Sequence, residues 1–469
     1  MITPNIEQSA ESEQPPGAAF SGVKPAQTGW SSQTAFIFAS IGFAVGLGNI
    51  WRFPYMVGEN GGSAFVLVYL LCVFIIGMPI LVAELMIGRI GRGSCSTAVL
   101  QTALQENRSP RWRSMGYLNM LAAFLVTLIY SGIVGWVLYY LYKSVFTGFS
   151  AFDASTSAAA YKAMLQDNVV MIFWCWTGLA ITAGIAFLGL KGGIERAVSV
   201  MIPVLLIVMV LLAGYGVLSE GFMPAVSYLF EADFSKLSGS VFLAAIGQAF
   251  FSIGVGLAGM MTYGSYLPKS FNIPAGAGVI IAADTLIALL AGLVIFPLVF
   301  TFGLNPASGP GLIFETLPIA FAQMPIGRLF SILFFLSLSS AAITTMIGFV
   351  ESLTAFLMDE LNISRHGAAI IVFSAIAIFS MLSIFSYNIL SNLNVFGKDF
   401  NTLVDAAVNN ILLPLGGFLI VIFAAWFISR RTLMDQLGLG RTGFRLWLFA
   451  ARFVAPVAII MIAAFSIAE

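Results

Sequence analysis

Long apolar stretches limit what this chain can fold into more than any other feature. Eleven of them are long enough to cross a bilayer as a helix, and they lie at 34–56, 63–89, 115–146, 169–188, 195–218, 240–266, 277–303, 327–358, 366–388, 403–429 and 443–467. Only 9% of the residues are charged and 59% are apolar, against about 25% charged in soluble domains. Because lipid offers the backbone no hydrogen-bond partners, we predict an all-α integral membrane protein with about 11 transmembrane helices.

The basic residues are divided unevenly between the two sides of these predicted helices. If the N-terminus is inside, fourteen fall in inside segments, namely Lys24, Arg89, Arg92, Arg108, Arg111, Arg113, Lys191, Arg196, Lys269, Arg365, Arg430, Arg431, Arg441 and Arg445. Five fall in outside segments, namely Lys143, Lys162, Lys236, Arg328 and Lys398. Lys and Arg are enriched in cytoplasmic loops. This bias predicts a cytoplasmic N-terminus, and the odd number of helices then places the C-terminus outside.

Two of the predicted helices are interrupted by glycines at corresponding places. The first contains Gly42, Gly46 and Gly48, and the sixth contains Gly247, Gly254, Gly256 and Gly259 with Gln248 and Ser252. Glycine is also common where membrane helices pack closely, but two clusters five helices apart favour a five-plus-five repeat with broken helices 1 and 6. Since five is odd, the second unit is inverted. Paired interruptions of this kind mark binding sites in secondary transporters, which predicts a site between the two breaks.

The motifs around the first break resemble those of the neurotransmitter:sodium symporter family, and most closely its bacterial amino-acid transporters. They are Gly46-Leu47-Gly48-Asn49-Ile50-Trp51-Arg52-Phe53-Pro54, Glu59-Asn60-Gly61-Gly62 and Lys191-Gly192-Gly193-Ile194-Glu195, in that order. The resemblance runs from Trp30 to the last apolar stretch. It implies sodium-coupled import of an amino acid by alternating access, in which helices 1, 2, 6 and 7 rock against helices 3, 4, 8 and 9.

The chain then divides into three parts. Residues 1–29 carry acidic and proline residues without an apolar run and are predicted to be a disordered cytoplasmic tail. Residues 30–429 form the transporter core of ten helices in two inverted repeats, and 430–469 form a cytoplasmic loop and helix 11. The protein is expected in the cell (inner) membrane, and the choice between monomer and homodimer stays open.

Two sodium sites follow from the resemblance. The first sodium is expected at the carbonyl of Ala44 and the side chains of Asn49, Ser252 and Asp284, and it also touches the substrate carboxylate. The second is expected at the carbonyls of Gly42, Val45 and Ala341 and the hydroxyls of Thr344 and Thr345. The sequence supports the second set, because positions 341, 344, 345 and 348 share one face of a helix. The alternative is that these hydroxyls bond to their own helix backbone. No organic cofactor is expected.

The resemblance also implies a substrate pocket. The carboxylate would bind the amides of Leu47 and Gly48 and the Tyr130 hydroxyl, and the ammonium the carbonyls of Ala44, Phe251 and Ser252. The walls would be Val126, Phe251, Gly254, Leu257, Thr345 and Phe349. No acid or base stands in this set, and an apolar pocket penalises an unpaired polar side chain. We therefore expect a hydrophobic L-amino acid as substrate, aromatic ones included.

Asp284 is the most informative charged residue inside a predicted helix. Many members of the family carry a neutral asparagine here, and in the chloride-dependent animal members a chloride binds nearby. Tyr69, Gln248 and Ser252 match parts of that chloride site. A fixed carboxylate supplies the negative charge itself, which predicts chloride-independent transport. We also hypothesise that Asp284 takes up a proton when sodium is absent.

Two gates are expected from the same resemblance. Outside the pocket, Arg52 and Asp405 would pair above a lid of Tyr130 and Phe251, although a static buried ion pair is the alternative. Inside, Trp30, Tyr266 and Asp359 match the family pattern. Gln27, however, stands where an arginine usually pairs with the aspartate, so that either Lys24 substitutes or the closed-inside state is weaker.

The remaining ionisable residues argue against other classes of protein. Glu84, Glu351 and Arg452 are expected to make structural pairs, with a role near the site as the alternative for Glu84. His366 is expected to be solvated. An intramembrane enzyme would need a nucleophile and base or metal ligands such as HExxH, and a single histidine makes most of those arrangements impossible. The three cysteines lack CxxC spacing, so neither a metal site nor a disulfide is expected. A channel or a transporter-like receptor remains an alternative, since broken helices also line pores.

Overall fold

A computed structural model describes residues 29–231, 233–393 and 397–468 of the chain. Gln27, Lys24 and almost all of the predicted tail lie outside the described residues. The helices are, in chain order, α1 (Gln33–Ala44), α2 (Gly48–Glu59), α3 (Ser63–Gly91), α4 (Cys95–Gln105), α5 (Pro110–Phe146), α6 (Ala154–Gln166), α7 (Asn168–Phe187), α8 (Leu190–Val217), α9 (Phe222–Phe230), α10 (Gly239–Ile253), α11 (Gly259–Ser265), α12 (Ile273–Thr301), α13 (Leu312–Gln323), α14 (Gly327–Leu361), α15 (Arg365–Phe385), α16 (Phe400–Phe427), α17 (Arg430–Leu437) and α18 (441–468).

The prediction of an all-α membrane protein is confirmed. In the described part of the chain nine helices are long and apolar enough to cross a membrane, and α1 with α2 forms a tenth span bent by 47°. The predicted stretch 240–266 corresponds to α10 and α11, which have 15 and 7 residues and are each too short to span alone. Ten of the predicted stretches thus correspond to spans, the first of them broken, and the eleventh corresponds to the pair α10 and α11.

Local sequence explains where the two broken helices stop. Helix α1 ends at Ala44, just before the glycines at 46 and 48, and α2 begins at Gly48. At the other break, Gly254 caps α10 in the left-handed conformation, with φ +71° and ψ 27°, which glycine adopts without steric cost. The chain therefore leaves helical geometry at 45–47 and again at 254–258.

The helices are arranged so that these breaks lie inside the protein. Buried residues make up 83% of the most apolar window of α14 and 72% of that of α5, but only 33% of those of α7 and α8. Helices α5 and α14 pack along each other, and α1 packs against α8, α12 and α14. The interior helices α5 and α14 therefore form a rigid wall beside the broken segments, while α7 and α8 face outward.

Candidate functional site

The first break exposes backbone groups to side chains of neighbouring helices. The Thr345 hydroxyl on α14 donates to the carbonyls of Gly42 at 3.1 Å and Phe43 at 3.0 Å. The Leu47 amide donates to the Tyr130 hydroxyl on α5 at 3.3 Å. A side-chain carbon at Gly46 would contact both of these hydroxyls. Glycine at position 46 is therefore what lets α5 and α14 approach the unwound backbone.

Hydrogen bonds to α3 and α2 hold the second break and its helix in place. Gly254, Gly256 and Ala258 all adopt positive φ angles, of 71°, 80° and 61°. The Gly256 amide donates to the Glu84 carboxylate of α3 at 2.7 Å. The side-chain amide of Gln248 donates to the Gly48 carbonyl at 2.8 Å and so joins the two broken helices directly. Glu84 thus pairs with the backbone of the break.

The side chains predicted to hold the first sodium form one buried cluster. The side-chain amide of Asn49 donates to an Asp284 oxygen at 2.7 Å and to the Ser252 hydroxyl at 3.0 Å. Ser252 also donates to the other Asp284 oxygen at 2.7 Å, and the Tyr69 hydroxyl lies 3.1 Å from Ser252. The exposed fractions of Asn49, Ser252 and Asp284 are 0%, 1% and 0%.

The charge of this cluster is uncompensated by the described residues. None of the three ion pairs in the described chain, each with nitrogen and oxygen within 4.0 Å, includes Asp284. Transferring a carboxylate from water into a protein interior without a cation is strongly unfavourable. A cluster of this kind fits a small cation held by oxygen ligands, as sodium requires.

The residues predicted for the second sodium are brought together only in part. Thr345 reaches α1 as described above, whereas the Thr344 hydroxyl donates to the Ser340 and Ala341 carbonyls of its own helix at 3.0 and 3.1 Å. Thr344 nevertheless faces the break, because a side-chain carbon at Gly42 would lie 3.1 Å from its Cβ. Ala341 and Val45 are fully buried, and no side chain of the described residues is recorded as bonding the Val45 carbonyl.

A narrow cavity lies beside the first cluster, between the two breaks. Ten of the eleven residues predicted to bind substrate line it, and Ser252 lies outside the lining. The lining residues are Phe43, Ala44, Gly46, Leu47, Gly48, Val126, Tyr130, Phe251, Gly254, Leu257, Thr345 and Phe349. The walls are apolar, and the polar groups are backbone and hydroxyl groups at one end.

The sequence did not identify Phe43 as a wall of this cavity. The Phe43 ring packs edge-on against Phe349 at 5.2 Å between centroids. Side-chain carbons at Gly254, Gly259 or Gly348 would each contact the Phe43 ring. Three glycines on three segments thus make room for this ring, so Phe43 fixes one wall of the cavity.

Arg52 and Asp405, the residues predicted to form an outer gate, do not form the predicted ion pair. No nitrogen of Arg52 lies within 4.0 Å of a carboxylate oxygen of Asp405, although both residues are described. Arg52 instead donates to the Asn409 side chain at 3.5 Å, and Asn409 donates to Asp405 at 2.7 Å. The guanidinium also lies 4.4 Å over the Phe251 ring. Asn409, which the sequence analysis missed, therefore bridges the two charges. Asp405 itself is exposed.

At the opposite end the predicted aromatic residues are closely packed. The Trp30 indole donates to the Tyr263 carbonyl at 3.1 Å, and its ring lies 6.1 Å from that of Tyr266. The Tyr266 hydroxyl donates to Glu351 at 2.9 Å, and Glu351 forms an ion pair with Arg365. The structural pairing expected for Glu351 is therefore present.

Asp359 does not face the aromatic group in this way. It accepts a hydrogen bond from the Ser94 amide at 2.7 Å. A contact missed by the sequence analysis links Ser31 to Glu195 at the start of α8: the Ser31 amide donates to Glu195 at 2.9 Å, and the Ser31 hydroxyl donates to its other oxygen. Glu195, rather than Asp359, therefore holds the described start of the chain.

Arg452 and His366 have no carboxylate partner among the described residues. Arg452 donates to the Ala425 carbonyl at 2.8 Å and lies 5.1 Å over the Trp426 ring, so its pairing is with backbone and ring instead of an acid. His366 is exposed, as expected for a solvated residue, and its ring lies 4.3 Å from that of Phe187.

Comparison with known proteins adds a family context to this geometry. The chain matches the sequence model of the sodium:neurotransmitter symporter family over residues 27–168 and 158–469. It is 35% identical to the sodium-dependent transporter YhdH of Bacillus subtilis, covering 94% of this chain and 97% of the relative. It is 33% identical to a sodium-dependent transporter of Haemophilus influenzae, covering 92% and 96%. The crystal structure of MhsT in complex with L-phenylalanine superposes with a TM-score of 0.88 at 34% identity, covering 94% of this chain and all of MhsT.

Proposed function

The chain belongs to the sodium:neurotransmitter symporter family, and we propose that it imports a hydrophobic L-amino acid, aromatic ones included, by sodium-coupled alternating access. The observation that carries this proposal is the uncompensated cluster of Asn49, Ser252 and Asp284 beside an apolar cavity. A cation at the cluster and a carboxylate at the nearby end of the cavity attract each other. Binding of the ion and binding of the substrate are then coupled. Because the family consists of transporters, transport is favoured over the receptor and channel alternatives.

Sodium is the cation that suits this cluster. Its ligands would be the oxygen atoms of Ser252 and Asp284 with the Ala44 carbonyl, since Ala44 lines the adjoining cavity. The Asn49 side-chain oxygen, which accepts from the Gly46 amide at 3.3 Å, would turn to the ion as a further ligand. Hard cations take oxygen ligands of this type. We assign a second sodium to Gly42, Val45, Ala341, Thr344 and Thr345, where Thr345 already lies within 3.1 Å of the Gly42 carbonyl. The Thr344 hydroxyl would turn from its own helix to the ion.

The substrate would enter with its carboxylate at the unwound backbone. The Leu47 amide and Tyr130 hydroxyl lie at one end of the cavity, where amide hydrogens of a new helix start favour an anion. Val126, Leu257 and Phe349 then surround the side chain. Apolar walls of this kind favour an amino acid with an apolar side chain. L-phenylalanine, which is bound in the crystal structure of MhsT, is such an amino acid.

This assignment is tested by equilibrium binding of a panel of labelled L-amino acids to the purified protein. Apolar amino acids are expected to bind in sodium and to bind at least tenfold more weakly when potassium replaces sodium. Charged and small polar amino acids are expected to bind weakly in both. Tight binding of a charged amino acid would contradict the proposed pocket.

A larger side chain at Val126 should change which amino acids are accepted. Val126 lies within the regular helix α5 and lines the cavity, so that Val126→Phe fills space without bending the backbone. Phenylalanine and tryptophan should bind at least tenfold more weakly, because overpacking typically costs about 1–3 kcal/mol, while alanine should be little affected. Competition against a labelled apolar amino acid measures this change.

The control for this prediction is Leu121→Phe, on the exposed face of the same helix. This variant should leave the whole panel unchanged. Equal losses for tryptophan and alanine in Val126→Phe would place the side-chain pocket elsewhere. Gly254, the other small residue at the wall, is a poorer test because any substitution there also strains a backbone with φ +71°.

Closure on the inside is proposed to depend on Glu195 together with Trp30, Tyr266 and Asp359. Glu195→Ala removes two hydrogen bonds to the exposed Ser31. A net loss of about 1.4 kcal/mol from this pair of bonds corresponds to a tenfold change in population. The inside should therefore open more often. In a cysteine-free background, a cysteine that replaces Ser265, beside Tyr266, should be alkylated roughly tenfold faster in Glu195→Ala than in the protein that keeps Glu195. Glu220→Ala, at an exposed site past the other end of α8, is the control, and an unchanged rate in Glu195→Ala would rule out this role.

The orientation of the protein is also proposed. The N-terminus is placed in the cytoplasm and the C-terminus outside the cell membrane, on the basis of the fourteen-to-five distribution of basic residues. The tail at 1–29 and the loop at 430–440 then lie in the cytoplasm. The transporter core at 30–429 contains both breaks and all of the proposed ligands.

A further inference from the structure

Exposed arginines are concentrated in the segment that joins the last two spans. Arg430 and Arg431 begin α17, and Arg441 and Arg445 lie in the first turns of α18. All four side chains are exposed, and Asp435 is the only acidic residue between them in the sequence. We call these four arginines the basic patch.

Side-chain packing brings the two halves of the basic patch together. The guanidinium of Arg430 lies 5.5 Å over the ring of Phe444, which is 1% exposed. Phe444 precedes Arg445 directly and follows Arg441 by three residues, and Arg441 and Arg445 are neighbours on one helix face. The start of α17 therefore meets the start of α18, and arginines from both helices border the same site.

The basic patch lacks compensating partners in the described part of the chain. Arginines elsewhere mostly donate hydrogen bonds, as do Arg52, Arg89, Arg92, Arg108, Arg113, Arg328, Arg365 and Arg452. No guanidinium of the patch takes part in a recorded hydrogen bond or in any of the three ion pairs within 4.0 Å. Like charges gathered in this way repel each other, and a bound anion would relieve the repulsion.

The neighbouring residues place the basic patch at the boundary of the lipid. Leu446 and Phe449, which follow Arg445 on α18, are 66% and 58% exposed, and Trp426 at the end of α16 is 50% exposed. Exposed apolar residues on a membrane helix face acyl chains, and tryptophan is enriched at headgroup level. The arginines therefore lie where lipid phosphates are found.

We propose that the basic patch binds the headgroup of an anionic phospholipid in the adjacent leaflet. Arginine suits this ligand because its planar guanidinium can donate two hydrogen bonds to one phosphate. The exposed apolar residues beside the patch would contact the acyl chains. The bound lipid would hold the loop between the last two spans to the membrane, a role separate from sodium and amino-acid binding.

The test measures thermal unfolding of the purified full-length protein in neutral detergent with three additives: dioleoylphosphatidylglycerol, dioleoylphosphatidylcholine and inorganic phosphate. Phosphatidylglycerol should raise the unfolding temperature of the wild type in a saturable way, and the other two additives should not. In Arg430→Gln/Arg441→Gln/Arg445→Gln, its apparent affinity should fall on the order of a hundredfold, since each arginine near anionic lipid contributes to binding. Arg430→Lys/Arg441→Lys/Arg445→Lys should show an intermediate loss.

The matched control removes three charges from exposed sites on the same predicted side, as Arg111→Gln/Arg196→Gln/Lys269→Gln. It should respond to phosphatidylglycerol as the wild type does. An equal response to inorganic phosphate would show a simple anion site, and an equal response to phosphatidylcholine would show a general lipid effect. Either outcome, or an undiminished response in the Arg→Gln triple variant, overturns the proposal. If the triple Gln variant does not fold, the Lys variant decides the test.

Discussion

The Asp284→Asn variant is expected to lose most of its sodium-driven uptake in chloride-free buffer and to regain part of it when chloride is supplied. The wild type should take up its substrate equally in chloride and gluconate, because the Asp284 carboxylate would itself supply the negative charge beside the proposed first sodium. Two unit charges about 4 Å apart interact by about 4 kcal/mol at a protein-like dielectric constant. Removing one of them should therefore slow uptake at low sodium by a hundredfold or more.

The surroundings of Asp284 explain why an added anion could compensate. The Tyr69 and Ser252 hydroxyls lie 3.1 Å apart next to the carboxylate, and the side-chain amide of Gln248 is also buried nearby. Hydroxyl and amide hydrogens can bind chloride once the fixed charge is gone. Uptake by Asp284→Asn that is equally low with and without chloride would contradict this explanation.

Glu84→Gln is the matched control for this prediction. Glu84 is also fully buried, and its carboxylate accepts a hydrogen bond from the Gly256 amide instead of facing the proposed sodium. Its replacement should not create a chloride requirement. The same pair of variants tests the proton hypothesis, because only Asp284→Asn should lose a response to an imposed pH gradient.

Gly46→Ala is expected to raise the KM for the amino acid by roughly ten- to a hundredfold while the protein still folds. The added methyl group would lie 2.8 Å from the Tyr130 hydroxyl and would also contact the Thr345 hydroxyl. It would therefore displace the groups proposed to bind the substrate carboxylate and the second sodium, at a cost of about 1–3 kcal/mol. Saturation kinetics at several sodium concentrations should show that both the KM for the amino acid and the sodium concentration needed for half-maximal uptake are higher.

Gly132→Ala is the control for this change. Gly132 lies on the same helix as Tyr130, and the nearest neighbouring atom to its added carbon is the Ser383 hydroxyl oxygen at 3.8 Å. This variant should have ordinary kinetics. If both glycine variants raise KM alike, the effect comes from general packing of membrane helices and the proposed carboxylate site is wrong.

The fold could be predicted largely because a bilayer imposes a minimum length on apolar helices. Each of the eleven predicted stretches corresponds to a helix or to a broken pair. The short helices α4 and α13, with 11 and 12 residues, were not predicted, since neither is long enough to span and their stability comes from packing against longer helices. Length therefore identifies spans and gives no information about helices that lie between them.

The site could be predicted where it rests on local sequence motifs. Asn49 and Leu47 belong to the glycine-rich motif, and their roles were assigned from its resemblance to the family. Spacing independently supports only the shared helix face of Ala341, Thr344 and Thr345. Phe43 could not be assigned, because its helix unwinds within two residues and side-chain direction then has no regular period. The contact between Ser31 and Glu195 spans 164 residues, and sequence spacing carries no information about such a pair.

The central claim is that this protein couples sodium to amino-acid accumulation, and uptake of labelled L-phenylalanine into liposomes containing the purified protein tests it most directly. With an inward sodium gradient, we expect saturable accumulation above the external concentration, made larger by an interior-negative potential. When potassium replaces sodium, or when Asp284→Asn is used without chloride, accumulation should disappear. Sodium-dependent binding of an apolar amino acid without any accumulation, or equal uptake in sodium and potassium, would contradict it.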